Sequence, residues 1–197
     1  MTRGKEPNLG VKIGPLDLKN PVMTASGTFG YGLELKQFCP PAALGAVIAK
    51  GVSLTPWTGN ESPRMAETAG GMLNAIGLEN MGVEAFIDKA LQPLKATGAT
   101  VGANILGHSA EEYGALAARL AVAEVDFLEV NVSCPNVSCG GLAFGADPSA
   151  VREVATAVRE NAGGKPFMVK LTPLASNVVA VAEAAEEAGA TAVSLIN

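Results

Sequence analysis

Five short apolar runs, each ending at a polar side chain, limit what this chain can fold into. Ala46-Val47-Ile48-Ala49 ends at Lys50, Val101-Gly102-Ala103 at Asn104, and Phe127-Leu128-Glu129-Val130 at Asn131; Phe167-Met168-Val169 ends at Lys170 and Val193-Ser194-Leu195-Ile196 at Asn197. Such runs are too short for buried helices and lack the apolar/polar alternation of a strand with one wet face. They match strands of a parallel sheet covered on both sides.

The spacing predicts strands over 21–25, 46–51, 100–104, 126–132, 167–171 and 192–196, and helices over 31–38, 83–96, 109–123, 149–161 and 177–188. Two helix starts carry local signals. Ser109 with Glu112 forms a capping box, and Asp147 precedes a proline suited to the first helical position. The class is α/β. Polar residues at the carboxyl end of nearly every strand favour a (β/α)8 barrel over an open doubly wound sheet, because barrel loops converge on one mouth. A barrel needs eight strands and about 250 residues. The chain therefore reads as one domain over residues 1–197 that carries about six of eight βα units and is truncated before the last two. The connection over 52–82, rich in Gly, Pro, Asn and Ser, is long enough to expect a functional loop.

At 48% hydrophobic residues the chain can bury one sizeable core, and its net charge of -5, with basic residues scattered singly, offers no footprint for nucleic acid or an anionic membrane. Small molecules remain as ligands. Cys39, Cys134 and Cys139 lack disulfide or zinc spacing, so no metal is expected. The first residues lack the apolar stretch of a secretory signal and no run is long enough to span a bilayer, which predicts a cytoplasmic protein.

Cys134 lies between Ser133 and Pro135 where a buried strand breaks into a loop, with Asn131 and Asn136 on either side. A thiol at the carboxyl end of such a strand is placed for chemistry rather than packing. Lys50 and Lys170 end apolar runs, where an unpaired ammonium is costly unless an anion meets it. Asn74, Asn131, Asn136 and Asn197 offer paired donors and acceptors. Gly70-Gly71 and Gly140-Gly141 lack nucleotide-loop spacing and read as flexible loops. The single histidine, His108, reads as an exposed loop residue.

Taken in order, Asn20-Pro21, Ala25-Ser26-Gly27, Lys50-Gly51, Pro63-Arg64, Asn74-Ala75-Ile76-Gly77-Leu78, Asn131-Val132-Ser133-Cys134-Pro135-Asn136, Lys170-Leu171-Thr172-Pro173 and Ile196-Asn197 resemble the flavin-dependent dihydroorotate dehydrogenases of pyrimidine (UMP) biosynthesis. Residues 74–78 and 140–145 look like the class 1B catalytic subunit. That resemblance implies oxidation of dihydroorotate to orotate, with Cys134 as the base taking the C5 proton and a hydride passing from C6 to FMN. It implies substrate contacts from Lys50, Asn74, Ala75, Ile76, Gly77, Leu78, Asn131, Asn136 and Asn197. It also implies FMN contacts from Ser26, Lys50, Gly51, Asn104, Asn131, Lys170 and Ile196. A homodimer is implied, joined by an electron-transfer subunit carrying FAD and a 2Fe-2S cluster that passes electrons to NAD. In this family, loops after the seventh and eighth strands hold the FMN phosphate. Two alternatives stand beside this reading. One is a dihydropyrimidine dehydrogenase-like FMN domain, in which His normally follows the active-site proline where Asn136 stands here. The other is a non-catalytic truncated fragment.

Overall fold

A computed structural model describes residues 7–133, 135–136 and 142–196 of the chain. It opens with an antiparallel hairpin, β1 (Val11–Ile13) and β2 (Leu16–Leu18), turning at Gly14 with φ of 54°. Strand β3 (Val47–Val52) follows, and the long connection after it contains a second antiparallel hairpin, β4 (Met65–Thr68) and β5 (Gly71–Asn74). Helices α1 (Gly82–Ala85) and α2 (Gln92–Lys95) are joined through a π-helical stretch, Phe86–Leu91. Pro93 explains that stretch: it has no N–H to offer the carbonyl four residues back, and its ring crowds that carbonyl, so the helix widens just before it.

The remainder alternates: β6 (Val101–Ile105), α3 (Ala110–Ala121), β7 (Phe127–Asn131), a small hairpin of β8 (Pro135–Asn136) and β9 (Leu142–Ala143), α4 (Pro148–Asn161), β10 (Phe167–Lys170), α5 (Val178–Glu187) and β11 (Ala192–Ser194). The two helix starts read from sequence are built as expected. Ser109 Oγ accepts from Glu112 N–H while Glu112 reaches back to His108 N–H, and Asp147 accepts from Ser149 N–H.

Five strands form one parallel sheet in the order β11-β10-β7-β6-β3. Each new strand is added on the same side of the last, without the reversal that marks a doubly wound sheet. The isolated parallel bridge Met23↔Ala46 continues that progression beyond β3. This is an arc of a (β/α)8 barrel.

The arc has two apolar cores, one on each face. Outward residues such as Val47, Val101, Leu128, Val130 and Val169 pack against Phe86, Leu94, Tyr113, Leu116, Val154 and Val181 of the helices. Inward residues Ala46, Ile48, Phe127 and Met168 join Leu18 of the N-terminal hairpin in a smaller cluster that plugs the amino-terminal end of the arc. Above this plug the inward positions turn polar, so one end of the sheet interior is packed and the other is available for chemistry.

Two expected elements are absent. Residues 21–25 make one bridge rather than a strand, because Thr24 Oγ1 accepts from Ile48 N–H (2.9 Å) and donates to Ile48 O (3.2 Å), replacing ladder bonds with side-chain bonds. Residues 31–38 form turns rather than a helix: the Glu34 carboxylate accepts from the N–H groups of Tyr31, Gly32 and Leu33, and Gly30 and Gly32 take positive φ.

The plug makes glycine obligatory at one inward position. A Cβ on Gly102 would stand 2.3 Å from the Phe127 ring. Gly102→Val should destabilise the protein by about 1–3 kcal/mol through overpacking. Chemical denaturation measures this, and an unchanged midpoint would contradict the packing described.

Candidate functional site

Side chains alternate across a strand, so register fixes the inward set at the carboxyl ends of four strands: Asn104 on β6, Glu129 and Asn131 on β7, Lys170 on β10 and Ser194 on β11. On β3 the register with β6 shifts between Ala49 and Val52, and Lys50, two residues past inward Ile48, joins Asn104, Asn131 and Lys170 in the cleft. Asn104 pairs in register with Glu129, Asn131 with Lys170, and Lys170 with Ser194. Lys50, Asn104, Asn131 and Lys170 line a cleft of about 430 Å³, within the ~300–1,000 Å³ range of small-molecule sites.

Three further segments close the cleft. Ser26, Gly27 and Thr28 form one wall, with Ser26 Oγ donating to Ala49 O (3.1 Å). Asn74, Ile76, Leu78 and Glu79 form another, and Leu106 supplies an apolar patch. Gly51 lies so close to its neighbours that an added Cβ would stand 2.6 Å from a Leu106 methyl and 2.8 Å from Asn104 Oδ1.

The long connection is held as a strap over this cleft. Asn60 Nδ2 donates to Ala75 O (2.9 Å), Asn60 N–H to Ile76 O (3.0 Å), and Ala75 N–H to Arg64 O (2.9 Å). Arg64 pairs with Glu79, while Asn80 is fixed by Ser53 and by the bridge to Trp57. Gly77 and Leu78 both have positive φ. Among the described residues, no backbone N–H of Ile76, Gly77 or Leu78 makes a hydrogen bond. Successive free N–H groups in such a turn suit an anionic ligand.

Electrostatically the cleft is unbalanced. Among the described residues neither Lys50 nor Lys170 takes part in a salt bridge, although Lys170 is only 9% exposed. Glu129, 3% exposed, is instead bound by two neutral donors, Asn104 Nδ2 (2.7 Å) and Ser194 Oγ (2.9 Å). Asn131 is anchored at its own backbone, where its carbonyl accepts from Tyr113 Oη (2.6 Å), and its Oδ1 accepts from Ser133 N–H (3.1 Å). Ser133 Oγ is buried without a hydrogen-bond partner among the described residues.

Of the residues singled out from sequence, Ser26, Lys50, Gly51, Asn74, Ile76, Leu78, Asn104, Asn131 and Lys170 line the one cleft. Ala75 and Gly77 belong to the same strap without lining it. Ile196 lines an adjoining cavity of about 270 Å³ that shares Lys170 and also takes in Glu129 and Ser194. Asn136 is described only as part of β8, and Cys134 and Asn197 lie outside the described residues. His108 is corrected from an exposed loop residue: it is half-buried and stacked on Trp57 at a centroid distance of 4.5 Å. The sequence reading missed Glu129, Ser194, Asn60 and Glu79. A charge in the middle of an otherwise apolar strand was the available signal for Glu129.

A barrel arc whose strand ends surround a polar, cation-bearing cleft defines a small-molecule site of the (β/α)8 class. Comparison with known sequences narrows it. Residues 8–197 match the family model described as dihydroorotate dehydrogenase. A protein of Geobacter sp. (strain M21), named dihydroorotate dehydrogenase B (NAD(+)), catalytic subunit, is 50% identical over 98% of this chain and 63% of its own length. Proteins of the same name from Geotalea uraniireducens (strain Rf4) and Maridesulfovibrio salexigens are 51% and 54% identical, over 98% and 92% of this chain and 63% and 60% of theirs. The chain belongs to the dihydroorotate dehydrogenase family, and it spans less than two thirds of the length of these relatives.

The wall beside Lys50 depends on a titratable turn, since Lys50 N–H donates to Gly30 O next to the N–H groups bound by Glu34. Burial alone would raise the Glu34 carboxyl, but the N–H groups of Tyr31, Leu33 and Gly32 outweigh it and hold it below the usual carboxylate value. A depressed folded value means that the stability Glu34 contributes is present above its unfolded pKa and is lost as pH falls through the folded one. Thermal melts from neutral to acidic pH should therefore show Glu34→Gln less stable than wild type at pH 7, with the gap closing in acid. A constant gap would remove the carboxylate from this role.

Proposed function

We propose that this chain carries the dihydroorotate-oxidising site of an FMN-dependent, NAD-linked dihydroorotate dehydrogenase. The observation that carries this is the pair of lysines, Lys50 and Lys170, lining one cleft with no carboxylate partner among the described residues. Two ammonium groups held on rigid strands call for anionic ligands. The carboxamides around them suit flat heterocycles edged with N–H and C=O groups.

The donor set fits FMN. Ser26, Lys50, Gly51, Asn104, Asn131, Lys170 and Ile196 would hold it, with Lys170 beside the ring where negative charge gathers. When bound, the flavin supplies the two-electron acceptor that no side chain can provide. The chain's own residues do the rest. Lys50, Asn74, Asn131, Asn136 and Asn197 orient the pyrimidine, and the free N–H groups of Ile76, Gly77 and Leu78 receive its carboxylate. Cys134 as the thiolate takes the C5 proton on Sγ and becomes the thiol, and the hydroxyl of the preceding residue, Ser133, would relay a proton onward to water, accepting one as it gives up its own.

The relatives' name, a catalytic subunit linked to NAD(+), supports assembly with a further subunit, for which FAD and a 2Fe-2S cluster are the matching relay; a homodimer of the catalytic chain completes the proposed assembly. Among the described residues no helix is long and apolar enough to cross a membrane. A cytoplasmic site of pyrimidine synthesis agrees with the sequence.

Cys134→Ser should lower dihydroorotate turnover by about a hundredfold or more while FMN stays bound, as loss of a general base does. Unchanged turnover would remove the cysteine from the reaction. Activity on dihydrouracil but not on dihydroorotate would replace this reading with the dihydropyrimidine one.

A further inference from the structure

Glu129 is the one carboxylate among the described residues that points into the sheet interior of the arc, and it is buried without an ion pair. Burying a charge this way is costly unless its hydrogen bonds do something a neutral side chain would not. Its partners show what that is. Oε1 accepts from Ser194 Oγ on β11, and Oε2 accepts from Asn104 Nδ2 on β6. One side chain on β7 thereby reaches β6 beside it and, across β10, β11.

A carboxamide can present either its oxygen or its NH2 group to a ligand, and the two differ little in shape. A carboxylate only accepts. Opposite Glu129, Asn104 must turn its NH2 group toward the carboxylate, which leaves Oδ1 as the end facing Gly51 and the cleft. A Cβ at position 51 would sit 2.8 Å from that oxygen, so Gly51 leaves it uncovered.

We infer that Glu129 is a positioning residue: it locks Asn104 with its carbonyl oxygen toward the cleft, so that the site selects a ring edge bearing an N–H donor. The inference rests on the flavin reading above, and the imide edge of the FMN ring is the donor it implies. Glu129 acts through Asn104 rather than on the ring itself. The Ser194 bond holds the second carboxylate oxygen and couples the setting to β11.

A double-mutant cycle on FMN binding tests it, with dissociation constants measured by flavin fluorescence on the purified protein. Glu129→Gln keeps the shape but weakens a charge-assisted bond and should raise the FMN dissociation constant about tenfold. Asn104→Ala should do the same. Combined, they should still cost about tenfold, because the second change acts through a group already gone. A combined loss of about a hundredfold would show independent effects and overturn the inference.

The reciprocal exchange guards against simple misfolding. Asn104→Asp alone sets two carboxylates against each other and should lower both the melting temperature and FMN affinity. Adding Glu129→Gln restores a donor and acceptor pair: the new amide on β7 donates from its NH2 group to the new carboxylate on β6, while its oxygen still accepts from Ser194. Both quantities should recover. Recovery of melting temperature without recovery of FMN affinity would leave a structural contact only and overturn the positioning role. If wild-type protein binds no FMN, the flavin reading fails and the inference with it; if it binds and the losses add, only the inference fails.

Discussion

A side chain on a strand cannot choose its face. Alternation along five parallel strands puts Val47, Ala49, Val101, Ala103, Leu128, Val130 and Val169 under the helices and sends Lys50, Asn104, Glu129, Asn131 and Lys170 into the concave interior. Strand pairing then sets these groups in ranks, because register opposes Asn104 to Glu129 and Asn131 to Lys170. A slip of one residue in β3, β6, β7 or β10 would bury its lysine or asparagine beneath a helix and turn outward apolar residues to the cleft. The outward core enforces the register, and the register builds the site.

The interior itself is divided. Ile48, Phe127 and Met168, with Leu18 from the N-terminal hairpin, fill the amino-terminal end and exclude water there. The polar ranks begin directly above: Ile48 and Met168 line the adjoining cavity with Glu129, while the cleft itself is walled by Lys50, Asn104, Asn131 and Lys170. A low-dielectric layer beneath strengthens each charge above it. The strap over residues 52–82 adds what strands cannot offer, backbone N–H groups at Ile76, Gly77 and Leu78 that have no partner among the described residues, held by Asn60 and by the Arg64 to Glu79 pair.

Much of this was legible in the chain. Apolar runs ending in Lys50, Asn104, Asn131 and Lys170 announced both the sheet and the rim of its cleft, and the helix starts signalled at Ser109 and Asp147 form with those two residues as caps. What escaped was decided by side-chain bonds that compete with backbone ladders. Thr24 took the place of a ladder partner beside Ile48, and the positive φ of Gly32, in a turn whose N–H groups Glu34 gathers, breaks the helix that residues 31–38 would otherwise start. The strap's hairpin, turning at Ala69 and Gly70 between β4 and β5, carries exposed apolar residues whose pattern gave no buried face to read. Glu129 was visible as a charge inside an apolar run, yet its meaning depended on Asn104, 25 residues away, and on Ser194, 65 residues away.

The most direct measurement is a crystal structure of the protein grown with FMN and orotate. The account predicts flat density for both rings inside the rank of Lys50, Asn104, Asn131 and Lys170, with each ammonium group meeting ligand rather than a carboxylate of the chain. Density elsewhere on the surface, or the two lysines paired with the protein's own acids, would contradict it.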